Sequence, residues 1–371
     1  MNVSFVTGIC VNHDAISNSV RDEIRWLSET GKFNVKLFTY ACDYDDINVS
    51  LVQGLADVLL DPHFQSSGLI IYHYGIYFPL FDTVIMPAAG AKRLAIFHNI
   101  TPKHLLPERE HVVIEKSFRQ LSNLAFVDHV VCVSETNLGV LREAGIKTSA
   151  RVLSLAVHSK MTAPPAKPSF KDDVLRIAFI GRFVRSKGPT ELVAAIRNVL
   201  KRHPAQAISV NMIGNVNFSD AGVLEQLHKA IAELHAGYPK TVHLEILGNA
   251  TDQQKMRVLE EADLFVLPTY HEGFCVPIIE ALSSGCRIIT YNNSNTPAIS
   301  GGLADLVPTG DVNALSDAIN RAIDDVNSLG WRKTGYQRHC ANSRHYVSKF
   351  SSFSTSRRFL SCVSDLLGTP I

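Results

Sequence analysis

Two glutamates, Glu272 and Glu280, stand in the stretch YHEGFCVPIIEALSSGCRIIT from Tyr270 to Thr290. Carboxylates are good partners for sugar or ribose hydroxyls, and a buried core does not want them unpaired. Between them Pro277 suits the first turn of a helix, which leaves Gly273, Phe274 and Cys275 in the loop ahead of it. The free N–H groups of that helix start can hold an anion. Glu272 would reach beside it, and Glu280 would lie about one turn into the helix. A carboxylate on a solvated helix face is the ordinary alternative for Glu280. A second constellation, IGRFVRSKGPTELVAAI, places Arg182 after a buried strand and Lys187-Gly188 before a helix. Arginine offers a planar fork and lysine a mobile point charge, a combination that suits a diphosphate; a basic surface loop is the plain alternative. A third stretch, NNSNTPAISGG, supplies small polar groups that ordinary loop chemistry explains equally well.

These loops need strands to hold them, and short apolar runs provide candidates. NVSFVTGI, FNVKLFTY, GLIIYHY, KRLAIFH and HVVCVS read as strands of one parallel sheet. SVRDEIRWLSETG, the segment from Glu108 to Phe126 and ETNLGVLREAGI read as helices between or after them. MTAPPAKPSFKDD, with three prolines, then reads as a hinge. A second series follows: LRIAFIGR, AISVNMIG, VHLEILG, ADLFVLP and CRIITYN as strands, with helices such as PTELVAAIRNVLKRH between. Two serial runs of alternating β and α predict an α/β protein of two doubly wound domains, with ligands beyond the carboxyl ends of strands.

Length and composition agree. The 371 residues exceed what one core normally organises, and 46% hydrophobic with 19% charged residues is ordinary for a globular protein. A formal charge of +1 gives no global attraction for nucleic acid, and none is expected as a partner. No apolar run approaches the ~20 residues of a membrane span. The opening MNVSFVTGIC reads as a first strand, not a signal peptide. The seven cysteines include no C-x-x-C pair, which favours reduced cytoplasmic thiols over structural zinc.

The combination of G-R-x4-K-G before a helix with E-G-F-C-V-P-I-I-E resembles the retaining GT-B glycosyltransferases of family 4, over nearly the whole chain and in the order of its parts. That resemblance implies a GT-B fold, two Rossmann-like domains facing a central cleft. Their expected bounds are residues 1–163 on the acceptor side, a linker at 164–173, a donor domain at 174–335, and a helical segment at 336–371 crossing back to the first. It implies Glu272 against the donor sugar, Glu280 on the nucleotide ribose, and Arg182 and Lys187 neutralising the departing diphosphate. Gly181, Gly273, Phe274, Cys275 and Val276 fall in the same donor-binding motifs. His98 matches a histidine that often contacts the donor sugar in this family, with a core or capping histidine as the alternative. His13, His73 and Tyr74 are acceptor-side candidates, His73 and Tyr74 at a strand end where structural roles are equally natural. The phrase HNITP looks like a subset of bacterial surface-polysaccharide enzymes of the group 1 type.

The resemblance has gaps. TGICVNHDAISNS replaces the usual glycine pair after the first strand, LAVHSK replaces an N-G-V-D turn, and Pro297-Ala298 stands where an acidic residue usually follows the proline. The expected activity is hexosyl transfer from a nucleotide sugar to a glycan or polyprenyl-linked acceptor, in O-antigen or capsule-like polysaccharide synthesis. No cofactor and no obligatory metal are expected, since Asp43, Asp45 and Asp46 read as solvated loop residues and no D-x-D lies at a strand end. A non-catalytic nucleotide-sugar-binding subunit is the rival reading. A nicotinamide dehydrogenase fails because no G-x-G-x-x-G follows the first strand. The tail carries Arg332, Lys333, Arg338, Arg344, Lys349, Arg357 and Arg358 with interleaved aromatics and no acidic residue between Asp325 and Asp365. It reads as a helix packed by its aromatics, or additionally as a basic face meeting the inner surface of the plasma membrane.

Overall fold

The computed structural model describes residues 1–12, 14–86, 88, 90–158, 164 and 166–371. The chain forms two units, Met1–Ala156 with Phe350–Ile371, and Val157–Lys349.

In the first unit the elements run β1 (Asn2–Val6), β2 (Ile9–Cys10), α1 (Ala15–Glu29), β3 (Asn34–Thr39), β4 (Ala41–Cys42), β5 (Val49–Leu51), α2 (Leu55–Leu59), α3 (Pro62–Gln65), β6 (Ser67–Tyr74), β7 (Lys92–Phe97), α4 (His111–Gln120), β8 (His129–Cys132), α5 (Glu135–Glu143) and β9 (Ala150–Val152). Seven strands make one parallel sheet in the order β5-β3-β1-β6-β7-β8-β9, with β2 and β4 pairing apart from it. The central strands are apolar on both faces because helices cover both, as parallel sheets require. Phe38, Phe64, Tyr72, Tyr74, Phe81 and Phe97 fill one side of the sheet. Burying each such side chain contributes about 1.5–3 kcal/mol. Helix α1 starts where the Asp14 carboxylate accepts from the Ser17 N–H at 2.8 Å. The expected helix from Glu108 to Phe126 is α only over α4, with 3₁₀ turns at Glu108–Glu110 and Leu121–Phe126. Asp43 and Asp46 do more than face solvent: Asp43 accepts from the Asn12 N–H at 3.0 Å, and Asp46 takes a bidentate bond from Arg21.

The second unit continues with α6 (Ser169–Asp172), β10 (Leu175–Ile180), α7 (Pro189–Arg202), β11 (Ile208–Ile213), α8 (Ala221–Gly237), β12 (Val242–Gly248), α9 (Asp252–Glu261), β13 (Leu264–Leu267), α10 (Val276–Ser283), β14 (Arg287–Tyr291), α11 (Thr296–Ser300), β15 (Ala304–Val307), α12 (Val312–Asn327) and α13 (Tyr336–Val347). Its six strands are parallel, in the order β12-β11-β10-β13-β14-β15. Residues 166–173, read from sequence as linker, fall inside this unit. The buried Lys167 explains why: its Nζ donates to the carbonyls of Leu259, Glu260 and Ser284 at 3.2, 3.0 and 2.8 Å, closing the ends of α9 and α10.

The chain rejoins the first unit at Phe350, later than the Tyr336 expected from sequence, and ends in α14 (Ser352–Leu367). Phe359 packs on Trp26 of α1 with ring centroids 5.8 Å apart, and Arg151 pairs with Asp365 at 3.1 Å. The seven tail cations are therefore divided, five in the second unit and two, Arg357 and Arg358, in the first.

Candidate functional site

In a doubly wound sheet the loops diverge where strand order reverses, and that opening receives ligands. In the second unit the reversal lies between β10 and β13, which neighbour each other while their chains leave to opposite sides. Gly181 and Arg182 follow β10, and the loop from Pro268 to Cys275 follows β13. The two loops are laced together. The Ser186 carbonyl accepts from the Tyr270 N–H at 2.8 Å and the Thr269 hydroxyl at 3.1 Å. Gly188 turns with φ +65° so closely over the Pro268 carbonyl that a Cβ there would lie 2.1 Å from its oxygen. This approach brings Lys187 to Glu272, with Nζ 2.6 Å from Oε1 and the glutamate almost fully buried.

The third loop, for which the sequence leaves a site role and ordinary loop chemistry equally open, holds that carboxylate's backbone. The Ser294 Oγ accepts from the Glu272 N–H at 2.9 Å and itself donates to Asn293 Oδ1. Asn293 ties back to the Thr269 carbonyl, and Asn295 to the Phe274 carbonyl, each at 2.9 Å. Cys275 caps α10 with φ +78°, left-handed backbone that a side chain rarely adopts. Burial, then the nearby Glu272 carboxylate, pushes its thiol well up, so it stays protonated and is no nucleophile near neutral pH. Val276 and Pro277 open α10 as expected.

Glu280 does not share Lys187. Its Oε1 takes a bond of 2.7 Å from Lys255 of α9, a residue sequence reading passed over because α9 looks like any polar surface helix. Burial opposes the Lys255 ammonium, but Glu280 and Asp252 outweigh it and hold its pKa above the usual lysine value. Each glutamate thus has its own lysine. Arg182 is exposed, and among the described residues its guanidinium has no hydrogen-bond or ion-pair partner, while its carbonyl accepts from the Val184 N–H at 2.9 Å. The guanidinium stays available to an incoming anion.

In the first unit the reversal lies between β1 and β6. His73 near the end of β6 and His98 just after β7 are both buried, with rings stacked 5.1 Å apart. His73 Nδ1 is 2.9 Å from His98 Nε2, and His73 Nε2 is 3.1 Å from Glu23 Oε2 on α1. Burial first, and the His73 ring second, hold the His98 pKa well below the usual histidine value. His73 is therefore not a wall residue facing an acceptor; it lies beneath His98. Tyr74 is a correction too. It is fully buried, stacked on Phe81 at 4.4 Å, with its hydroxyl donating to the Ser117 carbonyl, so it offers no surface to a ligand. His13 lies outside the described residues. Glu23 was missed, yet a signal existed: it lies on the same helical face as Val20, Ile24 and Leu27, where a carboxylate must be buried.

Two parallel, doubly wound units with paired ligand loops define the GT-B class of glycosyltransferase fold. The likeness to solved structures carries this: a glycosyltransferase from Rickettsia africae ESF-5 aligns with a TM-score of 0.75 at 17% identity, over 99% of this chain and 98% of that one. Sucrose-phosphate synthase from Thermosynechococcus elongatus aligns with a TM-score of 0.72 at 19% identity, over 99% of both. Residues 162–337, within the second unit, match the family model "Glycosyl transferases group 1". The D-inositol 3-phosphate glycosyltransferase of Corynebacterium jeikeium is 30% identical over 40% of this chain. The matched stretches span 35% to 41% of the first such curated relatives. The GDP-mannose:cellobiosyl-diphosphopolyprenol alpha-mannosyltransferase of Xanthomonas oryzae is 26% identical, over 69% of this chain and 63% of that protein.

Proposed function

We propose that this chain transfers a hexose-type sugar from a nucleotide sugar to a glycan or lipid-linked acceptor, with retention of anomeric configuration. The observation that carries the reading is the Lys187–Glu272 pair at the carboxyl ends of β10 and β13, with the unpartnered Arg182 guanidinium on the same loop as Lys187. Breaking a glycosidic bond to a nucleoside diphosphate builds negative charge on the leaving group. Arg182 and Lys187 stabilise that charge, each worth roughly 3 kcal/mol of barrier by analogy with oxyanion-hole donors. Without ligand, Glu272 neutralises Lys187. When the donor arrives, the lysine turns to the diphosphate and the carboxylate to the sugar hydroxyls. Glu272 pairs with Lys187 and Glu280 with Lys255, which favours charge-pairing and hydroxyl-binding roles over that of a covalent nucleophile. Front-face attack, with the leaving phosphate taking the acceptor proton, is the mechanism that fits. No metal enters this scheme.

The test is a panel of sugar nucleotides read by thermal shift and by release of nucleoside diphosphate, with and without acceptor. A shift with the diphosphate never released, even slowly to water, would make the chain a non-catalytic binder. Within this reading Glu280→Ala weakens binding of the nucleoside diphosphate about tenfold, or about 1.4 kcal/mol, through the lost ribose contact. Calorimetry showing wild-type affinity would remove Glu280 from the donor site.

The acceptor class rests on the family resemblance and on relatives named for diphosphopolyprenol and O-antigen mannosyl transfer. Such an acceptor places the protein at the cytoplasmic face of a membrane. Among the described residues no helix is long and apolar enough to cross one, so contact would be peripheral. Some tail cations are already engaged: Arg332 pairs with Asp173 at 2.6 Å, and Lys349 lies 3.7 Å over the Tyr346 ring. The Arg358 guanidinium also has partners, donating to the Ser354 carbonyl at 3.2 Å and the Thr355 hydroxyl at 3.3 Å; each basic residue that reaches an anionic surface would add up to ~1 kcal/mol. Co-sedimentation with anionic vesicles should fall at high salt and in an Arg357→Ser, Arg358→Ser variant; binding indifferent to both would sink the contact.

A further inference from the structure

The three residues Glu23, His73 and His98 come from α1, β6 and the turn after β7, and all three are buried. Their bonds form one chain. A carboxylate accepts at both oxygens: the Ser19 hydroxyl donates to Glu23 Oε1 at 2.9 Å, and His73 Nε2 faces Oε2 at 3.1 Å. His73 therefore carries its proton on Nε2. A neutral imidazole protonated there can only accept at Nδ1, so the bond of 2.9 Å to His98 must come from His98 Nε2–H. That assigns the His98 tautomer: Nε2 carries the proton and Nδ1 is a bare acceptor. Among the described residues the only hydrogen bond to the His98 ring is this one. The opposite arrangement, an imidazolium at His73 donating both ways, would make His98 Nε2 the acceptor and put the His98 proton on Nδ1 instead. The backbone is fixed as well, because the Asn137 amide donates to the His98 carbonyl. Phe5 stacks on the far side of His73 with centroids 6.0 Å apart, which limits tilting of the ring.

We propose that Glu23 and His73 are positioning residues that hold His98 as an Nε2–H tautomer, so that His98 Nδ1 accepts a hydrogen bond from a sugar hydroxyl. This rests on the glycosyltransferase reading above and narrows it. The first unit then recognises a hydroxyl as a donor, and a deoxy or O-methyl sugar at that position loses the contact. A histidine alone would sample both tautomers, and the Nδ1–H form would set an N–H against the hydroxyl proton. The relay disfavours that form.

The tautomer is read by nitrogen-15 spectra of the histidine rings in the intact protein, with His73→Gln and His98→Gln identifying their signals among the 15 histidines. The expected result is a protonated Nε2 and an unprotonated Nδ1 for His98 at neutral pH, shifting towards a mixture in Glu23→Gln. A protonated His98 Nδ1 in the wild type overturns the proposal. These spectra need no substrate, so they decide the tautomer even if the panel yields no turnover, an outcome that instead removes the glycosyltransferase reading. Kinetically, Glu23→Gln and His98→Gln each lower turnover at least about tenfold, as lost outer supports of a working histidine do. The Glu23→Gln/His98→Gln double variant falls no further than His98→Gln alone, because both changes act through one ring. Additive losses in the double variant, or equal losses matched by a lowered unfolding midpoint, would mean that the relay only supports the fold.

Discussion

Glu272→Gln should cut turnover at saturating donor by about 10²–10³-fold, the loss seen when one charge-stabilising group leaves an active site. The same substitution should leave the affinity for nucleoside diphosphate unchanged or raise it. In the resting protein Lys187 is held by Glu272 at 2.6 Å, and the diphosphate must draw it away. Glutamine keeps the volume and removes the charge, so the lysine is easier to recruit. Binding and catalysis thus move in opposite directions, as expected when an interaction is made mainly in the transition state. Calorimetry with the diphosphate and single-turnover kinetics with the donor measure the two halves. Parallel loss of both would show Glu272 to be a packing residue of the loop. Glu272→Ala should behave alike in turnover but also leave Lys187 beside a void, so its stability needs measuring alongside.

The second large effect is on folding. Gly188→Ala should destabilise the second unit by about 3 kcal/mol or more, combining left-handed strain with a collision that only a backbone shift relieves. The methyl would lie 2.1 Å from the Pro268 oxygen, with φ at +65°. Gly302→Ala is the control, because its φ is +76° and nothing lies within 4 Å of the added carbon. It should cost only the strain, about 1–2 kcal/mol. Urea unfolding of the two variants compares them within one unit, and equal losses would refute the close approach. If the shift occurs, the loop after β10 also leaves the loop after β13, and turnover falls with the Lys187–Glu272 geometry.

Much of this arrangement is legible in the residues, for identifiable reasons. Strands such as LRIAFIGR and KRLAIFH are apolar on both faces and end abruptly in polar groups, so their bounds and their ligand-facing ends show in one dimension. Pro277 and Gly188 announce helix starts. Tyr74 misleads by the same logic. In a sheet covered on both sides, alternation does not distinguish a residue facing a ligand from one facing a helix, and only the packing on Phe81 decides it. Lys255 and Glu23 escape because their partners, Glu280 and His73, are 25 and 50 residues away. Strand β15 escapes because four residues after a glycine pair carry little periodicity. The three-proline segment shows the reverse error: composition marks a hinge, yet one of its lysines is sealed into the second unit.

That lysine bears on how the molecule can be divided. A fragment begun at Val174, where the strand pattern resumes, would lack Lys167, which caps the Glu260 and Ser284 carbonyls and shares the Leu259 carbonyl with the Cys286 thiol. Buried acceptors left unmet cost about 1–3 kcal/mol each, comparable with the whole margin of a marginal domain. The apparent tether is in effect the second unit's keystone, and a recombination boundary belongs before it, near Val157, where the division of the fold falls.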